Sequence, residues 1–207
     1  MEQKYIYVVF SSGNTGMSHF IKLVTQNKYN HVAISFEKDL HKMYSFARYH
    51  RKAPLYGGMV EESVLRYYLS GVDDVKICRI PVSEESLGRV KERIERMYAQ
   101  KDDYIYNTFS AMLMPMKMRY YIRKSYTCVE FVSMLIRMIP DMQIKLENYT
   151  SIPMLEKALE KYKYYEGDVG RISVSGGWGT DNFSKEMNFL SVIYNTILHF
   201  GKLFVRL

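Results

Sequence analysis

The chain has 207 residues, 47% hydrophobic and 25% charged, which excludes a disordered chain and is enough to bury the core of one domain. Lys and Arg number 29 against 22 Asp and Glu, a net charge of +7; with no zinc-finger spacing, RNP-like run or dense basic helix, a solvated basic surface is expected and not a nucleic-acid site. Two cysteines, Cys78 and Cys128, make no disulfide framework, Glu2 sits where a signal peptide would be basic, and no run approaches the ~20 apolar residues of a membrane span, so a cytoplasmic protein is expected.

The first apolar run, "YIYVVF" (5–10), is β-branched and aromatic and predicts a buried strand. After the turn "SSGNTG", Phe20, Ile21 and Val24 recur at helical spacing. "YNHVAISF" (29–36) predicts a second strand, "EKDLHK" a hairpin loop and "MYSFAR" (43–48) the returning strand. A looser stretch with Pro54, Gly57 and Gly58 leads into "EESVLRYYLSG", read as a short helix closed by Gly71. "DDVKICRIPV" is a strand, and burial inside it predicts that Cys78 is an inert core thiol. Ser83 caps a helix whose Leu87, Val90, Ile94 and Met97 share one face. "DYIYNTFSAMLMPMK" is helical up to Pro115, the Cys128 helix stops near Pro140, and "YTSIPMLEKALEKYK" is a further capped helix. "RISVSGGWGT" is a Gly-rich loop in which Trp178 is read as an anchor.

The tail, "KEMNFLSVIYNTILHFGKLFVRL", brings Leu190, Ile193, Ile197, Leu198 and Val205 towards one helical face. It reads equally as a helix docked on the domain or a second subunit, and as a basic amphipathic helix in peripheral contact with a membrane surface. Hairpin, strand, then mostly helices predicts an α+β domain with an antiparallel sheet over 1–175 and an appended loop and helix over 176–207.

In "KSYTCVEFVSMLIRM" (124–138), Thr127 and Glu130 have the spacing of a capping box, which puts Cys128 at the first position of the helix. Unpaired N–H groups and the positive end of the helix dipole collect there, and both favour a thiolate. Arg123 and Lys124 lie just upstream. Cys128 is therefore a candidate nucleophile, set against the plainer reading of a small apolar residue opening a core helix. A thiolate in acyl transfer needs an imidazole. His19, His41, His50 and His199 read as surface or boundary residues, and none forms an i, i+4 pair, so no metal or other cofactor is expected. His31 differs because it opens the strand "HVAISF", where a sheet end can hold a base steady.

The strand "HVAI" with its hairpin, followed much later by "TCVEFV" at a helix start, resembles the NlpC/P60 superfamily of papain-like cysteine hydrolases. Because His31 precedes Cys128, the likeness is to the circularly permuted branch, which includes YiiX-like and lecithin:retinol acyltransferase-like proteins. The resemblance covers roughly residues 4 to 160. It implies a permuted papain-like fold, Cys128 as nucleophile, His31 as general base and a third polar residue on the next strand. Ser45 occupies that strand; Glu37 and Glu61 are the alternatives. The implied activity is a thiol hydrolase (peptidase or amidase type) cleaving an amide or ester through a thioester acyl-enzyme. The alternatives are an acyltransferase or thioesterase acting on acyl lipid, and a binding module that has lost the chemistry.

Overall fold

The computed structural model describes residues 2–12, 27–72, 74–116, 118–140, 142, 144, 146–172, 183 and 185–207. The helix expected after Gly16, with His19, and the loop with Trp178 lie outside them.

Strand β1 (Lys4–Ser11) is apolar on both sides, as expected of a strand covered on both faces. Ile6, Val8 and Phe10 enter one core; Tyr7 and Val9 enter a second on the opposite face. Around it lie β2 (His31–Ser35), β3 (Met43–Arg48), β4 (Gly57–Glu62), β5 (Asp74–Val82), β6 (Ile105–Tyr106), β7 (Ser125–Tyr126) and β8 (Lys163–Asp168), which form one eight-stranded sheet in the order β7-β6-β4-β3-β2-β1-β5-β8.

The helices are α1 (Val64–Leu69), α2 (Glu84–Ala99), α3 (Thr108–Leu113), α4 (Cys128–Arg137), α5 (Ile152–Ala158) and α6 (Phe189–Val205). Val90, Ile94 and Met97 of α2 and Phe131, Val132, Leu135 and Ile136 of α4 pack into the Ile6–Val8–Phe10 core. Phe131 is fully buried with its ring 5.2 Å from Phe46. Val64 and Tyr67 of α1 cover the other face.

The α+β class holds, with three differences from the sequence reading. The sheet is mixed: every described pairing is antiparallel except β6 with β7, which run parallel. Residues 107–124, including α3, supply the long crossover that a parallel pair requires. Second, "GGMVEE" is strand β4, and Ser63, not a residue before Glu61, precedes α1. The glycines mark close approach: a Cβ on Gly57 would stand 2.5 Å from the Ala47 carbonyl oxygen, and one on Gly58 2.5 Å from that of Tyr104. Third, residues 163–168 form an edge strand, β8, where a helix end was expected. It lacks apolar alternation and forms by pairing with β5, across a register shift at Ile77 and Cys78.

Helix α6, capped by Asn188, docks on its own domain. His199, expected near the surface, is 2% exposed, and its Nε2 lies 3.1 Å from the Tyr106 carbonyl oxygen and 3.3 Å from Thr108 Oγ1. Phe109 of α3 packs edge-on against Phe200 and Phe204 at 6.0 and 5.3 Å.

Candidate active site

Both halves of the capping box at the head of α4 are made. Thr127 Oγ1 accepts from the Glu130 N–H at 3.3 Å, and the Thr127 N–H donates to Glu130 Oε2 at 2.7 Å. Arg119 holds the other carboxylate oxygen of Glu130 at 2.7 Å. Cys128 is thus fixed as the first helical residue, with a backbone N–H that has no acceptor within the helix. The side chain is 3% exposed. One of the upstream cations does other work: Lys124, at φ 54°, pairs with Asp103 at 2.7 Å.

The loop before β2 carries Tyr29, which is buried against Phe10, and after Asn30 His31 is the first residue of the strand. Strand β2 pairs with β3 only at Ile34–Tyr44 and Ser35–Met43, so the two strands part towards His31. The imidazole is thereby free to meet side chains from β4 and α4. Its Nε2 lies 2.8 Å from Glu62 Oε1, and Cys128 is close enough for its charge to act on the same ring. Tyr67 stands edge-on to it, with ring centres 6.4 Å apart.

The electrostatics follow from burial and pairing. Burial alone would push His31 down, but the Glu62 charge, the hydrogen bonds to Cys128 and Glu62 and the Cys128 charge outweigh it and raise the imidazole well above its ordinary range. Burial alone would push Glu62 up, yet the charge and hydrogen bond of His31, the Arg66 guanidinium 3.6 Å away and the Ser45 hydroxyl hold it well below the usual carboxylate range. Each group thus favours the charged form of the other. Burial also keeps Tyr106, close to Cys128, firmly in its neutral phenol form, so it remains a hydrogen-bond donor.

Of the expected residues, Cys128 is linked to His31 through the charge it exerts on the ring. The residue that hydrogen-bonds the imidazole is Glu62, which the sequence reading passed over. Ser45 is fully buried on β3 and lies beside the Glu62 carboxylate, outside ordinary hydrogen-bond geometry. Glu37 is exposed in the β2–β3 turn. Glu61 is turned out to Lys42 at 2.9 Å. The signal that would have found Glu62 is strand alternation: once 57–62 is a strand, Glu61 and Glu62 must face opposite ways. Among the described residues no group of three or more His, Cys, Asp or Glu is placed to hold a metal ion. Chemically, the arrangement offers a thiol, an imidazole able to carry its proton, a buried carboxylate to hold that imidazole charged and oriented, and N–H and phenol donors beside the sulfur.

Comparison with known protein families, with curated proteins and with solved structures finds no match for this chain.

Proposed function

We propose that the protein is a thiol hydrolase acting on an amide or ester bond, with Cys128 as nucleophile, His31 as general base and acid, and Glu62 as the residue that positions and charges His31. The observation that carries this reading is the 2.8 Å contact from His31 to the buried Glu62, with Cys128 as the other partner of that ring. The resemblance to the permuted NlpC/P60 branch supports it by order: His31 lies on the early strand and Cys128 on the later helix. With the Cys128 proton carried by His31, Sγ bonds to the acyl carbon as the C–N or C–O bond breaks, and the amine or alcohol leaves with that proton. Water then gives a proton to His31 as its oxygen bonds to the thioester carbon and the C–S bond breaks, and His31 returns the proton to sulfur, releasing the acid and the thiol. The Cys128 N–H faces the carbonyl oxygen as negative charge builds on it.

An acyl lipid as substrate is the second reading, favoured by the apolar residues that α6 leaves exposed. A serine as the third residue would be a weak orienter of the imidazole and would favour the inactive module; the buried Glu62 beside His31 favours the enzyme.

The test is the rate of Cys128 alkylation by iodoacetamide as a function of pH, in the wild type and in His31→Ala. Rapid modification at pH 6, lost in His31→Ala, supports the assignment. A profile like that of a free thiol, with an ordinary pKa near 8.5, and indifferent to His31 rejects it.

A further inference from the structure

The proposed chemistry leaves the outward face of α6 without a role. Leu190 is 76% exposed, Tyr194 63%, Ile197 64%, Phe204 64% and Val205 89%. At about 100° per helical residue, these side chains and Ile193 fill one arc of roughly 120°. No charged residue interrupts that arc. The attachment is made on the other side, where His199 and Leu203 are buried. A helix that merely completed a core would turn its broad apolar face inward, whereas α6 presents it to solvent. The apolar surface continues onto α3, whose Met112 is 64% exposed one turn beyond Phe109.

Charge selects the occupant. Helix α6 contains no Asp or Glu, and cations flank the arc: Lys202 within the helix and Lys185 before its start. A second copy packed by a two-fold axis would set the same cations against each other with no acid on the helix to pair them. An anionic surface pairs them all. At 17 residues, α6 is also short for a span, and among the described residues no helix is long and apolar enough to cross a membrane.

We propose that α6, with Met112 beside it, is an interfacial docking face for an anionic lipid bilayer. The helix lies in the plane of the surface, its apolar arc at the acyl boundary and Lys185 and Lys202 among the headgroup phosphates. On its buried side the helix is anchored by His199 to the Tyr106 carbonyl oxygen. The docking itself does not depend on the hydrolase reading.

The experiment is flotation of the full chain with phosphatidylcholine vesicles, with and without about one-third phosphatidylserine, alongside the wild-type mass in solution. The wild type should float with the anionic vesicles and bind them more weakly in high salt. Leu190→Asp combined with Ile197→Asp, both at exposed positions, should lower that binding by about tenfold or more with an unchanged circular dichroism spectrum. Lys202→Glu should reduce the preference for anionic vesicles. The proposal is overturned if the wild type ignores both kinds of vesicle. It is equally overturned if the wild type is a dimer that Leu190→Asp with Ile197→Asp converts to a monomer, which would make a second copy the occupant.

Discussion

The two cysteines are nearly equal in burial and opposite in everything else. Cys78 is 0% exposed and Cys128 3%. Cys78 sits inside β5, where burial, reinforced by the charges of Glu160, Glu156 and Glu166 against the opposing pull of Lys76, pushes its thiol up to about 12. Cys128 opens a helix and meets an imidazole that Glu62 keeps charged. What separates the two thiols is the element that carries each: burial inside a strand raises Cys78 in spite of the Lys76 charge, whereas Cys128 stands at a helix head with the His31 imidazole as its charge partner.

If that contrast has functional force, the largest effects come from removing either member of the Cys128 pair. With a panel of activated esters and acyl amides, Cys128→Ala and His31→Ala should each reduce kcat/KM by about 10³-fold or more, and the double variant should be little worse than either. Strictly additive losses would show that the two residues do not act as a unit.

The next effect isolates the partner charge. Glu62→Gln keeps the shape and a hydrogen bond but removes the carboxylate. Activity should fall by between about 10²- and 10⁴-fold, as when the acid of a triad is replaced by its amide, and Cys128 alkylation at pH 6 should slow. Stability should fall by on the order of 1–3 kcal/mol, because His31 can lose its proton and so avoids the full cost of a stranded charge. The pH dependence has a definite sign. His31 is raised, so its contribution is complete below about 6.5 and is lost as pH climbs through its folded value. Glu62 is lowered, so its contribution is complete above about 4.3 and is lost as pH falls through its folded value. The Tm gap between wild type and Glu62→Gln should thus be widest between about pH 4.3 and 6.5 and shrink on both sides. A gap that stays constant with pH would mean the two groups are not held as ions.

How much of this was legible in the sequence depends on whether each signal is local. The Cys128 helix start was readable because a capping box is written in four consecutive residues, and both of its hydrogen bonds are present. The strand position of His31 was readable from the β-branched run behind it. Glu62 was not, because Gly57 and Gly58 look like a break in structure. Their reason is the approach of Ala47 and Tyr104, and those contacts come from residues distant in the chain. Read as loop and helix start, 57–62 shows no alternation that would set Glu61 and Glu62 on opposite faces. Strand β8 was hidden for the same kind of reason: "KYYEGD" has exposed and half-buried positions only, and its strand character comes from β5. The upstream cations misled in the other direction, since sequence proximity put Lys124 near the sulfur and the fold turned it to Asp103.

The smallest effect is the sharpest control on the contrast. Cys78→Ala removes one buried sulfur from the core shared by Ile6, Val8, Ile80 and Val90. Loss of that atom leaves a small void, worth about 1 kcal/mol, which would appear as a modest drop in Tm. Substrate turnover should not change, because Cys78 lies in the covered interior of β5 and contributes nothing to the imidazole. Iodoacetamide labelling of the native protein should also be indistinguishable from wild type in rate and amount, since a buried thiol raised to about 12 holds almost no thiolate near neutral pH. If Cys78→Ala instead removed part of the fast labelling, the strand thiol would be contributing reactivity, and position at a helix head could no longer explain the difference between the two cysteines.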